Sequence, residues 1–247
     1  MSAYIALAGS YDRLTNDVDY RAMTEYYETL LRLHGKMPKS VLDLACGTGT
    51  LSCLLAAQGY RVIGTDRSEE MLTQAYAKAM DLENRPLFVH QSMQRLRLPE
   101  PVELTVSSLD SLNYLTKPED CRETIRRVAK SLTADGCFIF DINSEEKLRS
   151  LDGQVFLDED DDQYCVWRAT FDSEENICYY GMDLFQRQGK MWKRSFEEHA
   201  EYAYSIEQLT GYLREAGFGK IEVYGDRTLE SPSAGEQRIY FYAEKGQ

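Results

Sequence analysis

Between Ser40 and Asn143 the chain alternates short apolar runs with helical patterns, and no other feature constrains its fold as much. The runs SVLDLA, RVIGTD, PLFVHQ, ELTVSSL and CFIFDIN are strand-length and rich in β-branched and aromatic residues. Helical spacing stands among them. TLSCLLAAQGY is closed by Gly59. SEEMLTQAYAKAM begins on Ser68 as N-cap, with two acids in its first turn. PEDCRETIRRVAKSL carries Pro118 at its start and Ile125, Val128, Ala129 and Leu132 on one stripe. A further helix is expected over 18–34, from Met23, Tyr26, Tyr27, Leu30, Leu31 and Leu33, ended by Gly35 and Pro38. Strands alternating with helices in this way predict an α/β fold with a doubly wound, mostly parallel sheet.

After Asn143 the pattern changes. QYCVWRATF, NICYYGMDLFQ and KMWKRSFEEHAEYAY read as strands joined by SEEN and RQGK turns, an antiparallel hairpin set. Helical spacing returns in SIEQLTGYLREAGF, and KIEVYG and QRIYFYAE add two strands, for a seven-stranded Rossmann-like sheet. Residues 1–150 and 205–247 are therefore expected to form one core, with 151–204 as an inserted β subdomain, a lid over the substrate.

Composition narrows the function. The 28 Lys and Arg residues against 41 Asp and Glu give a formal net charge of −13, which disfavours a nucleic-acid partner held through its phosphates. No stretch approaches the ~18 apolar residues of a membrane span. The first residues lack the charged and apolar regions of a secretion signal. Six cysteines show neither C-x-x-C pairs nor zinc-finger spacing, so reduced thiols, no metal and a cytoplasmic location are expected.

The segment VLDLACGTGT, 41–50, sits where the first strand meets its helix. Ligands of open parallel sheets bind beyond the carboxyl ends of the strands. Glycine lets the backbone approach a ligand and take conformations a Cβ forbids. The third glycine of a dinucleotide fingerprint is replaced by Ser52, and Asp43 would repel a pyrophosphate but suit an ammonium group. Asp66, at the end of the second strand, can accept hydrogen bonds from both hydroxyls of a ribose, in NAD or in S-adenosylmethionine alike. Asp43 with Gly47 and Gly49 favours the latter.

These motifs resemble the class I S-adenosylmethionine-dependent methyltransferases over nearly the whole chain. The segments YDRLTNDVDY, LDLACGTGT, SLDSLNYL and FIFDINS are similar to a group of small bacterial methyltransferases of unassigned substrate, whose layout resembles the glycine and amino-sugar N-methyltransferases. The resemblance implies a wall of Asp43, Ala45, Gly47 and Gly49 around the methionine part of the cofactor. It implies Asp66 on the ribose, Arg67 beside the adenosine, Met71 against the adenine, Leu109 near the reacting sulfur and Tyr11 as a covering residue. Met71 as ordinary core and Tyr11 as an edge-packing residue are the alternatives. Many relatives place an acid after the third strand to hold the adenine amino group. This chain has Gln91, Ser92 and Met93 instead, so Gln91 or the local backbone must make that contact.

Methyl transfer is a displacement on carbon and needs alignment more than a catalytic triad, and no triad is present. The chain also lacks the Cys motifs of pyrimidine-carbon methylation and the Asn/Asp-Pro-Pro-Tyr signature after the fourth strand. The expectation is N- or O-methylation of a small-molecule acceptor by direct displacement, yielding S-adenosylhomocysteine. The alternatives are an RNA-modifying methyltransferase, a non-catalytic cofactor-binding partner protein and, last, an NAD-dependent oxidoreductase. Residues 151–200 hold 12 acids and 5 bases, with DEDDD at 158–162. That run is either a solvated loop or an acidic mouth for a cationic amine. The insertion's aromatics, Tyr164, Trp167, Tyr179, Tyr180 and Trp192, either line a pocket or pack the sheet. Asp110, Asn113 and Tyr114, beyond the fourth strand, are candidates to bind the acceptor, and His199 is the candidate catalytic residue.

Overall fold

The computed structural model describes residues 18–246. Tyr11 lies outside the described residues. In chain order the elements are α1 (Tyr20–Leu33), β1 (Ser40–Leu44), α2 (Thr50–Ala57), β2 (Arg61–Asp66), α3 (Glu69–Ala79), β3 (Leu87–His90), a 3-10 turn (Met93–Arg95), β4 (Val102–Ser107), α4 (Pro118–Ser131) and β5 (Leu132–Asn143). They continue with α5 (Glu145–Ser150), β6 (Val155–Glu159), β7 (Gln163–Asp172), β8 (Ile177–Gln188), β9 (Met191–Tyr202), α6 (Ile206–Glu215), β10 (Phe218–Tyr224) and β11 (Arg238–Lys245).

The main sheet has seven strands in the order β10-β11-β5-β4-β1-β2-β3, and only β11 runs antiparallel to its neighbours. Successive side chains of a strand point to opposite faces, and the two cores follow that rule. Val41, Leu104, Val106 and Ile139 pack with Met23, Tyr27 and Leu30 of α1 and Leu51 and Leu55 of α2. Leu42, Leu44, Phe138 and Phe140 pack with Ile125 and Val128 of α4 and Leu209 and Leu213 of α6. The chain reverses between β4 and β1, so the loops after these strands diverge and leave a crevice at their carboxyl ends.

The second sheet is a four-stranded antiparallel meander, β6-β7-β8-β9. It is stitched to the main sheet by Asn113. The Tyr202 N–H donates to the Asn113 carbonyl at 2.7 Å, and Asn113 Nδ2 donates to the carbonyls of Tyr202 and Asn143 at 3.0 and 3.1 Å. Beside it, Asn176 Nδ2 donates to the Ala203 carbonyl at 2.7 Å.

Two elements were not expected. α5 is a six-residue helix that begins directly after β5, capped by the Ser144 hydroxyl, which accepts from the Lys147 N–H. β6 is an edge strand, exposed at all five positions, so its residues show no buried-and-exposed alternation to read. It takes Asp158 and Glu159 out of the expected acidic loop and into a strand. All six cysteines are free thiols. Among the described residues no helix is long and apolar enough to cross a membrane.

Candidate functional site

A cavity of about 470 Å³ opens at the crevice, within the roughly 300–1,000 Å³ usual for small-molecule sites. Ala45, Gly47, Asp66, Arg67, Met71, Gln91, Met93, Leu109, Asp110, Tyr114 and His199, all singled out from the sequence, line it together. Asp43, Gly49, Ser92 and Asn113 do not.

The wall made by the β1–α2 loop is backbone. Gly47 has φ +55, and a Cβ there would meet nothing within 4 Å, so its open side faces the cavity. Gly49 plays a different part. It caps α2 with φ +73, and a Cβ on it would lie 2.8 Å from the Ala75 Cβ and 2.9 Å from the Phe88 ring. It therefore lets α2 and α3 close against each other rather than touching a ligand. Ala45 also holds a left-handed conformation, φ 61, a strain that side chains tolerate mainly where the surroundings enforce it.

Asp66 stands at the end of β2 with both oxygens engaged. Oδ2 accepts from the Gly47 N–H at 3.0 Å and Oδ1 from the Ser68 N–H at 2.8 Å. Burial raises its pKa, and those two N–H groups oppose the rise. A carboxylate has about four lone-pair sites, so two remain for a diol.

Asp43 does not face the large cavity as expected. It is 2% exposed, and its Oδ2 accepts from the Ser52 hydroxyl at 2.5 Å. Burial pushes its pKa up to about 7; the Ser52 hydroxyl opposes this and the charge of Asp66 adds to it. Ser52, which breaks the dinucleotide pattern, is thus the partner of the acid beneath the loop. Asp43 also borders a small recess of about 40 Å³, shared with Tyr20, Gly47, Thr48 and Ser111. An ammonium group seated there would be at short range from it.

The third-strand side departs from expectation as well. Gln91 lines the cavity, but its amide is turned to the backbone of Arg97, accepting from that N–H at 2.6 Å. Ser92 starts the 3-10 turn and stays outside the lining. Met71 is 2% exposed and lines the cavity, so core packing and ligand contact are both open to it.

The far end is built from side chains. Leu109 and Asp110 are consecutive left-handed residues, φ 56 and 53, after β4. Asp141 of β5 holds that turn: its two oxygens accept the N–H groups of Leu109 and Asp110 at 2.9 and 3.0 Å. Arg238 of β11 then bridges Asp141 and Asp110, the latter at 2.7 Å. Tyr114 meets His199 edge-on at a centroid distance of 6.1 Å, and the Trp167 ring centroid lies 6.2 Å from that of His199. His199 Nε2 is 3.4 Å from Glu197 Oε2, both side chains nearly fully enclosed. Asn113 points elsewhere. It is 0% exposed and spends its amide on the joint between the sheets. The acidic run 158–162 is exposed and absent from the lining, as are Tyr164, Tyr179, Tyr180 and Trp192; the β6–β7 hairpin carries its acids away from the cavity.

Sequence reasoning missed Asp141, Lys147 and Arg238, and left Trp167, which lines the cavity, open between a pocket and sheet packing. Two carried a signal: an acid within the apolar run FIFDIN and an arginine at the start of the last strand. Lys147 carried none.

Known proteins resemble this chain in sequence and in fold. A methyltransferase-domain family model matches residues 41–136. A methyltransferase-family protein of Geobacillus sp. (strain WCH70) is 33% identical over 246 residues, covering 98% of this chain and 99% of that protein. The glycine/sarcosine N-methyltransferase of Aphanothece halophytica is 27% identical over 209 residues, covering 82% of this chain and 74% of that enzyme. An S-adenosylmethionine-dependent methyltransferase from Clostridium acetobutylicum ATCC 824 matches with a TM-score of 0.89 at 29% identity, covering 99% of both chains. The strand order, the glycine loop and these full-length matches place the chain in one family: it belongs to the class I S-adenosylmethionine-dependent methyltransferases.

Proposed function

We propose that this chain methylates a nitrogen or oxygen of a small-molecule acceptor held between the main sheet and the four-stranded sheet, which acts as its lid. One observation carries the reading: Trp167 and His199 of the inserted sheet line the same cavity as Gly47 and Asp66. A site closed over by the lid suits a compact acceptor better than a polymer. The glycine/sarcosine relative supports an amine acceptor.

The residues present fit the cofactor. Gly47 offers bare backbone, Asp66 has lone pairs to spare for the ribose, and Met71 and Arg67 flank the place for the adenosine. With the Gln91 amide engaged on Arg97, the adenine edge falls to the chain around Met93. The cofactor's sulfonium supplies an electrophilic methyl group with a good leaving group. The protein's part is alignment and exclusion of water. The Leu109–Asp110 turn, held from Asp141, sets the floor. Tyr114, Trp167 and His199 orient the acceptor, and His199 serves in proton removal where the acceptor has a proton to lose.

The test is transfer of a labelled methyl group from S-adenosylmethionine into a metabolite extract, run with and without ribonuclease. The expected outcome is a labelled small molecule in both arms. Label confined to the untreated arm, in RNA, would overturn the reading in favour of an RNA-modifying enzyme.

A further inference from the structure

The acceptor end of the cavity contains an ammonium that no carboxylate meets at close range. Lys147, in the first turn of α5, lines the cavity and is half-buried. Its Nζ donates to Asn143 Oδ1 at 2.7 Å, and Arg238 Nη2 donates to that same oxygen at 3.2 Å. Two cations thus converge on one neutral amide oxygen. Their counter-charges differ. Arg238 is paired with both Asp141 and Asp110. Among the described residues no carboxylate oxygen lies within 4.0 Å of Lys147 Nζ.

The acids in the neighbourhood are Asp110, Asp141 and Glu201, and each is engaged elsewhere. Asp141 holds two backbone N–H groups and Arg238, and Asp110 holds Arg238. Glu201, on β9, accepts from Asn143 Nδ2 at 2.8 Å; burial first, then the charge of Asp110, pushes its pKa up to about 8. Burial, and next the charge of Arg238, lowers the pKa of Lys147, and the charges of Asp110, Glu201 and Asp141 oppose this. An ammonium has three donors, and one is used. The nearby acids balance the two cations in charge but leave two of the Lys147 donors unspent, and these face a cavity that Lys147 itself lines.

We propose that Lys147, with Arg238 beside it, binds an anionic group of the methyl acceptor, so that the acceptor carries a carboxylate or a phosphate. This rests on the reading that the acceptor is a small molecule bound beneath the inserted sheet. The cofactor's loops follow β1, β2 and β3, whereas Lys147 follows β5 and stands beside the Asp110 turn, so the anion it meets belongs to the acceptor. An oxyanion there takes the unspent donors of Lys147 and relieves its repulsion with Arg238.

The experiment begins with labelled methyl transfer into a metabolite extract, followed by anion-exchange chromatography of the product at about pH 11, where an amine is neutral and a carboxylate or phosphate keeps its charge, with and without prior treatment by alkaline phosphatase. The proposal expects the label to be retained. Loss of retention after phosphatase identifies a phosphate, and retention in both arms identifies a carboxylate. With the acceptor purified by this route, Lys147→Met should raise KM about ten- to a hundred-fold, the range of a charge-assisted hydrogen bond. The kcat and the affinity for S-adenosylhomocysteine should stay within about two-fold, and Lys147→Arg should recover most of the KM. A labelled product that is not retained overturns the proposal whether or not the variants fold. So does an unchanged KM in a folded Lys147→Met. Lost affinity for S-adenosylhomocysteine in that variant would instead assign Lys147 to the cofactor. Absence of any labelled small molecule would fail the broader reading, a different result from a labelled but uncharged product.

Discussion

The two walls of the cavity are built by opposite means. The wall around Gly47 and Asp66 is backbone: a glycine loop, two helix starts and one carboxylate engaged on two N–H groups. Its parts lie within residues 43–71, on loops that follow neighbouring strands. The wall around Asp110 and Lys147 is side-chain: residues from the β4 loop, β5, α5, β9 and β11 meet in one hydrogen-bonded network. A backbone wall offers the same groups to a ligand whatever side chains surround it. A side-chain wall can be altered one residue at a time, which suits the partner that differs. The proposed division between a shared cofactor and a particular acceptor follows from that contrast.

The sharpest way to break the contrast is at the glycines. Gly49→Ala should cost about 2–5 kcal/mol of stability, adding left-handed strain to a collision with Ala75 and Phe88. Gly47→Ala should cost only about 1–2 kcal/mol, from strain alone, since its Cβ meets open space. It should nevertheless weaken S-adenosylhomocysteine binding at least about ten-fold, because the added methyl enters the cavity. Denaturant unfolding and calorimetry separate the two; equal stability losses would mean that the two glycines do not divide their roles as described.

On the other wall, Asn113→Ala should destabilise by about 2–4 kcal/mol, because it removes the side-chain partner of the Asn143 N–H and of the carbonyls of Asn143 and Tyr202, the last of which keeps the Tyr204 N–H. At a temperature where the variant is folded, its affinity for S-adenosylhomocysteine should stay within about three-fold of wild type while methyl transfer falls. A parallel loss of both would show that the joint between the sheets also holds the cofactor wall.

The remaining comparison concerns Asp43. Its folded pKa of about 7 is raised from an ordinary value near 4, so its contribution to stability is complete below that ordinary value and is lost as pH rises from about 4 to 7. Asp66, Asp141 and Glu201 are shifted in the same direction, so the informative quantity is the difference between wild type and Asp43→Asn. The variant should be the more stable protein at pH 8, with the gap closing toward pH 4. S-adenosylhomocysteine carries an ammonium group. If that group sits by Asp43, its wild-type affinity should rise between pH 6 and 8, and a flat profile would place the ammonium elsewhere.

The sequence by itself determined the sheet and located the glycine loop and the acid at its edge. Strand and helix periodicities are local, and a glycine loop between a strand and a helix is contiguous, so VLDLACGTGT and the acid ending RVIGTD were legible without coordinates. Only the tertiary structure decided which way individual side chains face. Asp43 lies under the loop because Ser52, one helical turn into α2, reaches back to it. Asn113 joins two sheets rather than meeting a ligand, because Tyr202 is brought beside it from 89 residues away. Asp141, Lys147 and Arg238 meet because β11 enters the sheet next to β5, and β5 runs directly into the helix that carries Lys147. Such contacts depend on strand order and register, and no local pattern in the chain encodes them. The network around Asp110 and Lys147 stayed hidden for that reason, while the loop around Gly47 and Asp66 could be read.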